Sequence, residues 1–360
     1  MHVGMAMALQ NLGREVSDAQ AWAEELRLAE QAEPLGFASV WATEHHFTDY
    51  TLCPDPLQVL TWLAGRTRDI ELGTMVVVLP WHNPVRVAES VAVLDILSGG
   101  RLVLGIGRGL GRIEFDGLGV PMEESRRRFT EAAEMILRGL EDGHVEYDGE
   151  IFHQARRDIR PAPVRTFKGR TYAAAVSPES MRIMAELGVG VLLIPQKPWR
   201  AVESDLEAYR SIYREVNGVA APPTTLAGWV FCDPDAERAR ELARRYIGTY
   251  YESVLAHYEL EGRHFETTQG YEYYARMADR ISSEGAESAV DFFVDLHVWG
   301  TPEQCVQKVL DIRRRVDCDR FLGVFRYGGM PIDEAERNLH LFAREVMPAL
   351  QAVDTGAEAA

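Results

Sequence analysis

Short apolar runs, each the length of one β-strand, alternate eight times with longer amphipathic stretches along this 360-residue chain. The runs are read at residues 3–9, 37–43, 70–79, 101–106, 171–176, 189–194, 225–232 and 320–325. Helix signals recur between them. Ser17 or Asp18 opens a helix expected to run to about Leu35, before Gly36. Pro84 begins another, which Ser98-Gly99-Gly100 ends. Further helices are expected from about Glu123 to Leu140, Pro178 to Leu187 and Trp199 to Val216. The last three start at Asp233-Pro234, at Thr301-Pro302 and at Asp333. Eight strand-then-helix units predict a closed parallel barrel, a TIM (β/α)8 fold whose functional face is the carboxyl end of the strands. A doubly wound open sheet is the alternative that spacing leaves open. One domain over residues 1–350 is expected, with 351–360 as a frayed tail.

Two stretches break the rhythm. Residues 143–165 contain strand-like segments around Asp148-Gly149, which predicts an inserted hairpin. Residues 252–298 carry many aromatic and charged side chains with weak periodicity. An insertion at that point hangs over the carboxyl face, as a lid or as a peripheral or oligomer-contact segment.

With 55 acidic against 38 basic side chains, the net charge of -17 disfavours nucleic acid phosphates and anionic membrane surfaces as partners. An anionic ligand therefore requires a local cluster of cations. The four cysteines form no Cys-x-x-Cys pair, so no zinc or redox motif is read. No signal segment or membrane-length apolar run is apparent, and a cytoplasmic location is expected.

Four groups carry chemistry. Glu44-His45-His46-Phe47 follows the second strand, on the functional face, where histidine suits proton transfer near neutral pH. Adjacent residues on extended chain point apart, so His45 and His46 are expected to face different surroundings. With His82 the only further histidine close in topology, no metal centre is expected. Gly107-Arg108-Gly109-Leu110-Gly111 leaves the fourth strand as a loop that allows close ligand approach and presents one cation. No helix is read directly after it, so it is not taken as a dinucleotide fingerprint. Ser125-Arg126-Arg127-Arg128 opens the next helix, and arginine grips phosphate with a planar fork. Ser177-Pro178-Glu179-Ser180 opens a helix after the fifth strand. It is either an ordinary N-cap or a phosphate seat.

Several ordered segments together resemble the bacterial luciferase-like flavin monooxygenases, the luciferase α chain above all. They are Thr43-Glu-His-His-Phe-Thr-Asp49, Gly73-Thr-Met-Val-Val-Val-Leu-Pro80, Asn83-Pro-Val-Arg-Val-Ala-Glu89 and Leu94-Asp-Ile-Leu-Ser-Gly-Gly-Arg101. Gly105-Ile-Gly-Arg-Gly-Leu110, Gly300-Thr-Pro-Glu-Gln-Cys305 and Phe342-Ala-Arg-Glu-Val-Met-Pro348 follow in order. The resemblance implies a TIM barrel binding reduced FMN, with a flavin C4a-peroxide formed from O2 that oxidises an aldehyde or other small organic substrate. It implies a separate flavin reductase and a homodimer, or a heterodimer with a related subunit. His45 falls on the family's catalytic histidine, with Glu44 orienting that region. Arg108, Arg126, Ser177 and Ser180 fall on phosphate contacts, and Met75 and Val76 on the third-strand positions against the flavin ring, where a non-proline cis peptide can occur. Three positions depart. Gly107 replaces a reactive cysteine, Val176 a glutamate, and Met75 a smaller residue. An F420-dependent hydride-transfer enzyme of the same fold and a non-catalytic flavin-binding subunit are the alternatives.

Overall fold

The computed structural model describes residues 1–174, 178–260, 262, 264–267 and 271–353. Eight strands form its centre: β1 (His2–Met7), β2 (Ser39–Ala42), β3 (Glu71–Thr74), β4 (Leu102–Gly107), β5 (Thr171–Ala174), β6 (Gly190–Leu193), β7 (Thr224–Cys232) and β8 (Cys318–Val324). Each pairs in parallel with the next, from β1 through to β8. The ring closes where β1 meets β8, with Val3 opposite Phe321 and Met5 opposite Gly323. The TIM barrel expected from the alternation is thus the fold, and the open sheet is excluded. Side chains such as Met5, Val40, Trp41, Leu72 and Phe321 fill the buried core.

The helix ends follow the sequence signals closely. Ser17 caps Asp18–Ala32 by accepting from the Gln20 N–H, and Asp55, Asn83 and Thr301 cap helices that begin at Pro56, Pro84 and Pro302. The first helix stops at Ala32, short of Leu35: Glu33 keeps helical angles, but Pro34 has no N–H to continue the ladder. The helix Pro56–Ala64 was not read from the sequence.

The third run, expected as one strand over 70–79, is broken. β3 ends at Thr74, the Met75-Val76 peptide is cis, and Val77–Val78 resumes pairing against Ile106 and Gly107 of β4. At the break the Thr74 hydroxyl donates to the Gly105 carbonyl at 2.7 Å and accepts from the Gly105 N–H at 2.7 Å, replacing ladder bonds. The closing helix, expected from Asp333 to Leu350, is Ile332–Leu341, a wide π turn over Phe342–Val346, then Met347–Gln351. Pro348 has no N–H for an ordinary helical bond and displaces the backbone around it. A short helix, Arg112–Leu118, opens directly after the glycine loop, correcting the expectation of none there; buried Phe115 anchors it.

Residues 144–158 form an antiparallel ribbon, His144–Asp148 against His153–Asp158. Its tip is fastened by Glu131, whose carboxylate accepts from the N–H groups of Glu150, Ile151 and Phe152 at 2.9, 3.0 and 2.9 Å. The return to β5 is locked by Arg170. That guanidinium grips the buried Asp95 carboxylate through two nitrogens at 2.6 and 3.2 Å, bonds the Leu102 and Arg165 carbonyls at 2.6 Å each, and lies 3.7 Å over the Phe167 ring.

At the amino end of the barrel, the His2 imidazole contacts the Ser39 hydroxyl at 2.7 Å and Arg320 Nη1 at 3.0 Å. Burial and the Arg320 charge hold it neutral, down to about 3 from an ordinary 6.5. The unfolded chain binds this proton below 6.5 and the native state does not. Stability is therefore full above that pH and falls as pH drops toward 3. Between pH 7 and 5 the native protein is expected to lose about 1–2 kcal/mol through this group. Urea midpoints of wild type and His2→Gln at the two pH values check this, since equal losses in both would remove His2 as the cause.

Among the described residues, no helix is long and apolar enough to cross a membrane.

Candidate functional site

The carboxyl ends of β2 to β6 surround a cavity. Glu44 and His45 enter after β2, Met75, Val76 and Val78 after β3, Gly107 to Leu110 from β4, Ala174 from β5, and Leu192, Ile194 and Gln196 from β6. Arg126, Ser180, Tyr258 and Tyr274 complete it from the surrounding helices and connections. A second, mostly apolar chamber shares His45, Met75, Ile194, Gln196 and Tyr258, and is walled by Trp229, Tyr250 and Phe293.

His45 is held by a residue that sequence reading did not single out. Its Nδ1 lies 3.0 Å from Glu114 Oε1, which also accepts from the His46 N–H at 2.9 Å. Burial alone would raise the Glu114 carboxyl; the facing His45 and His257 outweigh it and bring it down to about 2. An ionised carboxylate only accepts, so Nδ1 of His45 carries the proton and Nε2, 3.4 Å from the Tyr258 hydroxyl, is left as the acceptor. On the far side His257 Nε2 stands 3.5 Å from Glu114 Oε2, while its Nδ1 contacts the Thr48 hydroxyl at 2.9 Å. Burial lowers the His257 pKa and keeps this ring neutral.

Glu44 belongs to a different group. Its buried carboxylate accepts from the Val78 N–H at 2.7 Å and contacts His82 Nε2 at 2.6 Å and His46 Nε2 at 3.3 Å. Burial works to raise this carboxyl, but those partners hold it below the usual carboxylate range. His45 and His46 therefore serve opposite carboxylates. Glu44 braces the broken third strand, and Glu114 orients His45.

The glycine loop lies directly on that strand. A Cβ on Gly105 would stand 1.9 Å from the Thr74 carbonyl oxygen, and one on Gly107 2.3 Å from Val76 Cγ2. Gly109, at φ +82°, would meet Val78 Cγ1 at 2.8 Å. Arg108 leaves this loop with its guanidinium 4.1 Å over the Tyr271 ring, and the Tyr271 hydroxyl bonds Ser125 at 2.9 Å and the Gly109 carbonyl at 3.2 Å. Arg126 bonds Glu179 at 3.0 Å, one residue from Ser180. Two cations and a serine thus converge on one cavity of an acidic protein.

Of the expected site residues, Glu44, His45, Met75, Val76, Arg108, Arg126 and Ser180 line this single cavity. Ser177 and Val176 lie outside the described residues. Glu114, His257, Tyr258 and Tyr271 were missed. The first sits in a short helix with Gly117 that gives weak periodicity, and the others belong to or border the aromatic stretch whose placement the sequence left open.

Comparison with known proteins agrees with the fold. A family profile described as luciferase-like monooxygenase matches residues 1–317. The alkanal monooxygenase α chain of Photorhabdus luminescens is 27% identical over 333 residues, covering 91% of either chain. That of Aliivibrio fischeri is 27% identical over 328 residues, covering 88% of this chain and 90% of its own. Among solved structures, the monooxygenase RslO1 of Streptomyces bottropensis superimposes with a TM-score of 0.80 at 26% identity, over 97% of this chain and 99% of that one. The oxygenating constituent of 3,6-diketocamphane monooxygenase from Pseudomonas putida, solved with FMN, shares the fold at 19% identity and a TM-score of 0.75, over 97% and 98% of the two chains. The chain belongs to the luciferase-like monooxygenase family of oxidoreductases.

Proposed function

We propose that this protein is a monooxygenase that uses reduced FMN and O2 to oxidise a small, largely apolar organic molecule, an aldehyde being one such substrate. The observation that carries this reading is the convergence of His45, Met75, Val76, Arg108, Arg126 and Ser180 on one cavity at the carboxyl ends of the strands. Reduced FMN, when bound, supplies the reaction of O2 and the transfer of one oxygen atom. The protein does the rest. Arg108, Arg126 and Ser180 hold the phosphate, with Ser177 as a further contact, and Met75 and Val76 form the wall beside the ring. The glycine loop fits this role: Gly107 and Gly109 line the cavity beside Arg108 and pack too closely on the third strand to carry a side chain. His45, with Nδ1 fixed by Glu114, offers Nε2 to receive or return a proton. Ile183, Met184, Leu192 and Ile194 keep water from the reacting end, and Tyr258 and Tyr274 act as the cover, from the end of the helix Ala236–His257 and from the helix Glu272–Glu284. The second chamber, with Trp229, Tyr250 and Phe293, takes the substrate.

Reduced flavin comes from a separate reductase in the cytoplasm, a compartment in keeping with the four buried cysteines, all free thiols. A second copy or a related subunit is the expected partner. Val93, Ile96 and Leu97 remain exposed on the helix Pro84–Leu97 and offer it an apolar face, so sedimentation of the purified protein should show a dimer.

The cofactor is tested by titrating FMN, riboflavin and F420. Arg108→Ala is expected to weaken FMN binding by about tenfold to a hundredfold, the value of a charge-assisted hydrogen bond, and to leave riboflavin binding nearly unchanged. F420 binding tighter than that of FMN would move the protein to hydride-transfer chemistry. Flavin binding without any turnover would make it a non-catalytic subunit.

A further inference from the structure

Glu114 has one oxygen occupied and one left over. Oε1 serves His45 and the His46 N–H. Oε2 and the His257 Nε2 that faces it are both buried, and neither has a hydrogen-bond partner among the described residues. Their 3.5 Å separation is too long for a good direct bond. Two unsatisfied polar atoms in a closed site are costly, and a pair aimed at the same point calls for something between them.

One nitrogen of His45, one nitrogen of His257 and one oxygen of Glu114 lie within 4.8 Å of one another. We infer that these three side chains form a binding site for one divalent transition-metal ion of the zinc type, with its remaining coordination position open to the cavity. Two imidazoles and one carboxylate form a donor set suited to Zn2+, whose ligand atoms sit roughly 3.3–3.5 Å apart around a tetrahedral centre. A pair at the 4.8 Å limit needs to close by about 1.5 Å to reach that spacing. His45, on the cavity wall with its side chain 17% exposed, is placed to make that turn.

The surroundings favour ligation. The Thr48 hydroxyl lies 2.9 Å from His257 Nδ1 and can both donate and accept, so the ring can carry its proton there and free the Nε2 lone pair when an ion enters. The Tyr50 ring stacks on His257 at 4.5 Å between centroids and holds its plane. A Cβ on Gly111 would come 2.4 Å from Glu114 Oε2 and 3.2 Å from His257 Nε2, so a glycine keeps this corner clear. The Glu44, His46 and His82 group is separate and takes no part.

An ion bound here ties up His45. Zinc is therefore expected to block the oxygenase reaction, a consequence that rests on the proposed function; the binding itself does not. The experiment is calorimetric titration of chelator-treated protein with Zn2+ at neutral pH, without flavin. One ion per chain is expected, with affinity falling at least about tenfold in His45→Ala and in Glu114→Gln. His153→Ala, which removes an exposed histidine beside Asp148, should leave it unchanged. Zinc should also raise the thermal midpoint of the wild type but not of His45→Ala, which shows that the variant is folded and has lost the site. No saturable binding, or binding that both substitutions leave untouched, overturns the inference. Because zinc titration and FMN titration are independent, failure of one leaves the other readable.

Discussion

His45→Ala is expected to lower kcat by roughly 10²–10⁴-fold while FMN still binds, the range associated with losing a positioned proton-transfer group. The substitution removes the only imidazole shared by the arginine-bearing cavity and the aromatic chamber among the described residues. It leaves Glu114 with the His46 N–H and with His257 alongside, so the buried carboxylate keeps compensation and the fold should survive. Single-turnover mixing of reduced FMN, O2 and substrate measures the chemical step directly. Turnover equal to that of wild type would take His45 out of the mechanism, and a loss of flavin binding would recast it as a binding residue.

Asp95→Ala is expected to cost about 3–5 kcal/mol, the usual penalty for stranding a buried charge. Arg170 would stay in place with its side chain only 9% exposed and its carboxylate gone. The three carbonyls it also bonds do not supply a counter-charge. Replacing both members, Asp95→Ala with Arg170→Met, should be far less harmful than the single change, because no unpaired charge remains. Urea unfolding of the two single variants and the double variant gives the coupling. A single-variant loss under about 1 kcal/mol would mean that water reaches the guanidinium and that the pair is not closed off.

How far the sequence could be read depended on distance along the chain. Strand-helix alternation is local, and so are caps such as Ser17, Asn83 and Thr301, which is why barrel closure and most helix starts were legible. The meeting of Arg108 and Arg126 at one cavity was legible too, because they lie in one connection after β4 and in motifs of known order. The holder of His45 was not. Glu114 is 69 residues away, and a glutamate among Arg112, Asp116 and Gly117 reads as an exposed charge until the fold buries it. His257 is another 143 residues on, at the end of a long helix whose direction only packing decides. The third strand misled for a different reason. An unbroken apolar run from Met75 to Leu79 shows what is buried and says nothing about where the backbone changes course.

The tight seating of the glycine loop on the third strand has a consequence for how such an enzyme diversifies. Where a single added methyl group meets a main-chain oxygen, as at Gly105, almost no replacement is tolerated, and the seam between β3 and β4 is frozen in place. Among the described residues, the helices Ala236–His257, Glu272–Glu284 and Ala286–Leu296 and the flanking Tyr258 line the same cavities with residues such as Tyr250, Tyr274 and Phe293. Laboratory selection for new substrates should therefore accumulate its changes in that arch, while the half of the mouth built from β3 and β4 passes unaltered from one generation to the next.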